Sequence, residues 1–393
     1  GGTLVETSSL DHILHFDTQT GILVAEAGLS IFALLKFAVP QGWFVPVTPG
    51  TQFVTLGGAI ANDVHGKNHH RAGTFGRHVV SLELARSNGE VVRCSLSENH
   101  ELFQATVAGL GLTGCILTVS LQLIPISSSR ITMESIQFFS LDEFFEIAES
   151  SDRDFDYTVA WLDCMNPVQS AGGNSELGRG VFMRGRHKTG PGTIGSSLDA
   201  GRGPGILQVP FDFPGWALNS LSLKAFNTAY FHKQLRREKI ADVHYRPFFY
   251  PLDSVLHWNR IYGKRGFLQF QCVVPRTPEN SPIRTLLQRV SRYGKASFLA
   301  VIKQFGGIES PGMLSFPRPG ITLCLDFPFD GQRTINLFRE LEEDVREFGG
   351  ALYPAKDACM SGESFRAFYP RWREFSEFID PHFSSSFWRR VIG

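Results

Sequence analysis

Between residues 267 and 349 the spacing of apolar side chains switches repeatedly between period two and a helical period, and this alternation restricts the fold more than any other feature. Residues 267–274 read as a strand and 282–293 as an amphipathic helix. Strands follow at 297–303 and 321–327. Then Ile335, Phe338, Leu341, Val345 and Phe348 step by 3, 3, 4 and 3, which is one helix face, and Gly349 stands where its C-terminal stop belongs. A strand–helix–strand–strand–helix–strand order places helices on one face of an antiparallel sheet. Gln269 and Gln271 point to the same face, so the sheet has a polar side at this strand.

The first ~125 residues alternate short strands and helices. Residues 21–26 read as a strand. Ser30 can cap a helix over 31–38, which Pro40 ends. Residues 45–49 lead into a glycine turn. Segments 79–85 and 90–94 form a hairpin around Asn88-Gly89. A helix is predicted over 101–108 and a strand over 115–123. With 393 residues, 42% hydrophobic and 19% charged, the chain can bury cores for two domains and is not a disordered chain. Its 38 basic and 38 acidic residues cancel (38 − 38 = 0), which argues against a dedicated nucleic-acid binder.

No apolar run reaches the roughly 18–20 residues of a spanning helix. The longest candidate, 31–39, is interrupted by Lys36. The six cysteines are scattered without a C-x-x-C pair, so neither a zinc ribbon nor a disulfide scaffold is indicated, and reduced thiols are expected. Residues 171–205 are rich in glycine and serine and read as a mobile insertion. Arg179, Arg184, Arg186, Lys188 and Arg202 make it basic, which also fits a lid or docking loop.

Chemistry concentrates in residues 49–70, from Pro49-Gly-Thr-Gln to His65-Gly-Lys-Asn-His-His70. Gly57 and Gly58 follow a short apolar strand, where glycine lets backbone N–H groups approach a diphosphate. A glycine pair is more often a plain turn. G-x-G-x-x-G, G-x-x-x-x-G-K-[ST] and G-x-S-x-G are all absent from the sequence. His65, His69 and His70 do not make a metal site, because Gly66 and Asn68 disfavour a shared helix face and no H-E-x-x-H completes a ligand set.

Residues 49–70 closely resemble the flavin-binding segment of the vanillyl-alcohol-oxidase class of FAD-linked oxidases. Within that class the chain is similar to the decaprenylphosphoryl-ribose oxidases. The resemblance rests on six ordered motifs: His65-Gly-Lys-Asn-His-His70, Phe75-Gly-Arg-His-Val79, Gly109-Leu-Gly-Leu-Thr-Gly114, Phe267-Leu-Gln-Phe-Gln-Cys-Val-Val-Pro275, Leu323-Cys-Leu-Asp-Phe-Pro328 and Tyr353-Pro-Ala-Lys-Asp357. It implies an α+β fold of two domains: a PCMH-type FAD-binding domain over 1–128 and an antiparallel-sheet substrate domain over 129–350 that contains the mobile loop 171–205. A segment over 351–393 returns to the FAD domain. Relatives carry a further upstream segment with a second diphosphate loop, an Arg-x-Tyr-Gly-Asp-like motif. The chain opens just after that point, so the expectation is a chain missing that loop, with a weakened hold on FAD.

Carried over, the resemblance implies non-covalent FAD held by Gly50, Thr55, Leu56, Gly57, Gly58, Asn62, Asp63, Val64, His65, Ile116 and Tyr353. It implies oxidation of the 2′-hydroxyl of a polyprenylphosphoryl-β-D-ribose to the 2′-keto sugar, the first half of epimerisation to arabinose in cell-wall arabinan synthesis. Hydride passes to flavin N5. Lys356 and His65 are the implied catalytic residues. Burial lowers the Lys356 pKa toward neutrality, fitting it as a base, or it orients substrate or flavin. Lys67, Trp161, Gln271, Lys303, Thr322 and Cys324 would face substrate, with Val301 and Phe305 as an apolar wall and Phe249 where relatives place a pocket tyrosine. A short-chain reductase partner and peripheral membrane contact are implied, with a cytoplasmic or inner-membrane-peripheral location. Two other readings stay open: an aldonolactone or free-sugar oxidase of D-arabinono-1,4-lactone oxidase type, and a flavin-less binding protein.

Overall fold

The computed structural model describes residues 2–166, 178–189, 207–294 and 299–393, and the backbone of two-residue strands at 168–169 and 175–176. Two antiparallel sheets dominate. The first has five strands, β1 (Ile13–Phe16), β2 (Ile22–Glu26), β3 (Val79–Ala85), β4 (Val91–Ser95) and β5 (Cys115–Gln122), in the order β1-β2-β5-β3-β4. Leu23, Ala25, Leu82, Leu84, Val119 and Leu121 alternate onto its buried side. Helices α1 (Ile31–Ala38), α2 (Leu56–Ala61) and α3 (His100–Thr106) add Leu34, Leu35, Ile60 and Phe103 to the same core.

Local signals explain most of these elements. Ser30 caps α1, its hydroxyl accepting from Ala33 N at 3.2 Å. Pro40 does not stop the chain at once. It sits early in a 3₁₀ turn, Val39–Gln41, where its missing N–H is tolerated, and Gly42 at φ 83° ends the turn. The Asn88-Gly89 hairpin forms as expected, pairing Ala85 with Val91 around Gly89 at φ +90°.

The second sheet has eight strands: β6 (Arg130–Phe138), β7 (Tyr157–Leu162), β8 (Gly180–His187), β9 (Glu238–His244), β10 (Phe267–Val274), β11 (Val301–Phe305), β12 (Gly320–Pro328) and β13 (Ala351–Leu352). Their order is β9-β6-β8-β7-β11-β12-β10-β13, all antiparallel. One face carries Phe270, Cys272, Val274, Leu323, Leu325 and Phe327 into a core shared with α4 (Leu141–Ser151), α6 (Ser281–Tyr293) and α7 (Gln332–Glu347). Helix α5 (Ser220–His232) packs on the opposite face, where Phe231 joins Trp161 and Val181. Phe338 of α7 meets the rings of Phe270 and Phe327, each at 5.4 Å. Truncating a buried phenylalanine of this kind costs roughly 3–5 kcal/mol. Among the described residues no helix is long and apolar enough to cross a membrane.

After β13 the chain forms α8 (Gly362–Phe368), α9 (Trp372–Ser376) and α10 (Ser386–Ile392). Phe365, Phe375 and Val391 enter the core of the second sheet. Asp380 reaches back to the first sheet, taking Ser87 N at 2.8 Å and facing Arg86 at 3.4 Å.

The reading of 171–205 as one mobile insertion is corrected over residues 178–189. Strand β8 runs through it, paired with β6 on one side and β7 on the other. The basic residues are consumed there: Arg179 pairs with Asp163 at 2.9 Å, Arg184 with Glu134 at 2.7 Å and Lys188 with Asp242 at 2.5 Å. The glycines serve packing. A Cβ at Gly180 would lie 2.1 Å from Trp161 O. The rest of that segment, Arg202 included, falls outside the described residues.

Candidate active site

The polar face of the second sheet builds the site. Register places Trp161 (β7), Val301 (β11), Cys324 (β12) and Gln271 (β10) in one cross-strand row. Lys303 and Thr322 form the next row. Period-two alternation puts all six on the side away from α6 and α7. Over this face lies the segment that follows α2. Thr55 caps α2, accepting from Gly58 N at 3.1 Å, and a bridge between His65 and Thr74 fixes the loop beyond it.

His65 is buried at the centre. Its Nε2 lies 2.9 Å from Gln271 Nε2 and its Nδ1 3.2 Å from Lys303 Nζ. The same end of the Gln271 amide lies 3.2 Å from Thr322 Oγ1. With Lys303 donating to Nδ1, the neutral imidazole carries its proton on Nε2 and the Gln271 amide meets it oxygen first, the two ends of that amide being interchangeable in place. Tyr353 closes one side, stacked on Phe316 at 4.7 Å, its hydroxyl donating to Asn62 O at 2.9 Å. Phe305 packs edge-on against His65 at 4.8 Å.

The cations differ in their environments. Burial, then the charge of Lys303, pushes His65 well below its ordinary value. Burial brings Lys303 down to about 8 and Lys67 to about 7. For Lys356 the expected depression is corrected. Burial again pulls downward, but Cys324, whose Sγ accepts from Nζ at 3.2 Å, and the Asp326 carboxylate outweigh it. The net shift is upward, so Lys356 stands as an ammonium, and of these two lysines Lys303 is the one poised to lose its proton. Neither ammonium has a carboxylate within ion-pair distance among the described residues.

Other candidates lie elsewhere. Asp63, at φ 40°, turns its carboxylate inward, accepting from Ser310 Oγ and Ser315 Oγ at 2.5 Å and from Gly76 N at 2.9 Å. Its N–H is engaged as well, donating to Ile60 O at 2.9 Å. The N–H groups around the glycine pair are also engaged: Leu56 N with Leu29 O, Gly57 N with Ala27 O and Gly58 N with Thr55 Oγ1. Gly57 also serves close packing, since a Cβ there would lie 3.2 Å from that of Ala27. Gly50 faces open space. Val64 and Ile116 are buried in the first core. Lys67 reaches away to Phe248, donating to its carbonyl and lying 4.6 Å over its ring. Phe249 is core, packed on Phe44 and Tyr157. Trp161 lies further along its row, under Tyr230 at 4.7 Å. His69 packs on Phe305 and His70 bonds Phe155 O, so the three histidines point apart.

Sequence reasoning missed Asp326 and the Ser310–Ser315 clamp. Asp326 was findable, because it lies two residues from Cys324 on the same face. The clamp was not, because it joins positions more than two hundred residues apart.

The FAD binding domain model matches residues 1–95. Along its whole length the chain is 36% identical to decaprenylphosphoryl-beta-D-ribose oxidase of Mycolicibacterium smegmatis, covering 85% of that protein. The chain belongs to the decaprenylphosphoryl-β-D-ribose oxidase family. It is an FAD-linked oxidoreductase with FAD as its cofactor. It is also 32% identical to an uncharacterized Streptomyces coelicolor protein over 92% of this chain and all of that one. To L-gulonolactone oxidase of Bos taurus it is 33% identical, over only 32% of this chain and 28% of the relative. The residues fit the family's cofactor. Lys303, Lys356, Gln271 and Thr322 gather donors, with the Asp326 carboxylate near Lys356, and this donor set suits the acceptor-rich pyrimidine edge of a flavin.

Proposed function

We propose that this chain oxidises the 2′-hydroxyl of a polyprenylphosphoryl-β-D-ribose to the 2′-keto sugar, with FAD bound non-covalently. The flavin supplies the hydride acceptor, at N5. Lys303 takes the hydroxyl proton. Its lowered pKa leaves part of the amine free near neutral pH, and an N–H donated to His65 Nδ1 fixes Nζ while leaving its lone pair for the hydroxyl proton. Lys356, permanently charged, steadies the developing alkoxide. His65 has both ring nitrogens engaged, which supports a non-covalent flavin.

The observation that carries this reading is the convergence of Lys303, His65, Gln271, Thr322, Cys324 and Lys356 on one sheet face, next to the apolar Trp161–Tyr230 end. A ketone product then needs reduction by a separate enzyme of short-chain type to complete an epimerisation. The likeness to a gulonolactone oxidase covers a third of the chain and does not reach the substrate question. Anaerobic mixing tests the reading. A polyprenylphosphoryl ribose is expected to bleach the flavin absorbance and L-gulonolactone to leave it; the reverse pattern would overturn the assignment.

A further inference from the structure

We infer that the outward face of α5 and the turn after it dock this chain on an anionic lipid bilayer. Helix α5 buries Leu223, Asn227 and Phe231, a stripe at i, i+4 and i+8. Its opposite side exposes Leu221, Ala225, Phe226 and Ala229 beside the polar Ser222 and Thr228, an apolar strip on the outward face. Nearby, Trp216 is 77%, Leu221 78% and Leu235 96% exposed. Eight of the eighteen exposed large apolar side chains among the described residues fall between 207 and 240. Such clustering marks an interaction surface.

Charge selects the occupant. Residues 207–240 hold Lys224, Lys233, Arg236, Arg237 and Lys239 against Asp212 and Glu238, so 5 − 2 = +3 in a chain of net charge zero, with Arg237 facing Glu143 at 3.4 Å. A second copy would bring the same excess to the contact and be repelled. A bilayer meets both needs: apolar side chains enter below the headgroups while cations face the phosphates. The surface is continuous with the site. Phe226 stacks toward Tyr230 at 6.2 Å, and Tyr230 lies 4.7 Å from Trp161. This continuity rests on the proposed lipid-linked substrate, whose tail would run along it from the membrane.

Flotation of the FAD-loaded chain with vesicles tests the surface. Binding is expected on phosphatidylglycerol-containing vesicles and about tenfold or more weaker on phosphatidylcholine alone or at high salt. Two variants are expected to lose binding by about the same factor: Leu221→Ser with Leu235→Ser, and Lys233→Glu with Arg236→Glu and Lys239→Glu. Both should keep their flavin spectrum. No flotation, undiminished flotation of both variants, or a dimer that both variants dissolve would overturn the inference. Flotation that needs this face, without bleaching by the lipid-linked ribose, would uphold the surface and remove the substrate.

Discussion

Asp63→Ala separates a structural carboxylate from a cofactor ligand. The Asp63 side chain is fully buried and accepts from Ser310, Ser315 and Gly76 N at 2.5, 2.5 and 2.9 Å. Hydrogen bonds to a charged acceptor are each worth roughly 1.5–3 kcal/mol, a gross sum of about 4.5–9 kcal/mol. Against this stands the cost of burying the charge, which also pushes the Asp63 pKa up. Breaking a buried charged network typically costs about 3–5 kcal/mol net, and that is the expected loss for alanine. Asn keeps one acceptor oxygen, and a serine hydroxyl can rotate to accept from its amide, so Asp63→Asn is expected to cost roughly half as much. Urea unfolding of the apo chain measures both. FAD affinity, followed by flavin fluorescence, should fall only in proportion to lost folding. An alanine cost below about 1 kcal/mol, with FAD binding abolished, would refute the clamp and make Asp63 a cofactor ligand.

Four further outcomes are expected. kcat/KM should rise with pH through about 8, since Lys303 must shed its proton to accept another, and Lys303→Met should lose that rising limb; a wild-type profile flat from pH 6 to 9 would contradict it. By linkage, the folded state binds fewer protons at Lys303 between about 8 and 10.5, so this site adds stability as pH rises through that window. Gly66→Ala puts a Cβ 2.7 Å from Asn68 Oδ1 and 2.9 Å from Thr48 O, for an expected loss of about 1–3 kcal/mol in urea, whereas Gly50→Ala meets nothing within 4 Å and should leave folding unchanged. Lys356→Ala should bind FAD yet no longer be bleached by substrate, and bleaching at the wild-type rate would remove its role.

Period and capping made much of the fold legible. Strand β10 occupies the predicted residues 267–274, and Ser30 caps the predicted helix. Gly349, at φ +67°, ends α7 as expected, although Leu337 rather than Ile335 fills the buried stripe. Strand β8 was illegible because its glycines, read as flexibility, answer contacts with Trp161 and Phe138, which lie far away in sequence. The same limit applied within the site. Alternation gave Gln271 its face, and the motifs named Lys303, Cys324 and Lys356. The direction of each lysine's pKa was not legible. Burial lowers both amines and Cys324 raises both; burial prevails at Lys303, whereas Asp326 and the bond to Cys324 Sγ tip Lys356 upward, and only the folded register decides that.

The most direct test places deuterium at C2′ of a polyprenylphosphoryl ribose and follows anaerobic flavin reduction. Oxidation at C2′ predicts a several-fold slower bleaching with that label and none with deuterium at the neighbouring C3′. Equal rates for both, or an effect from C3′ alone, would contradict it.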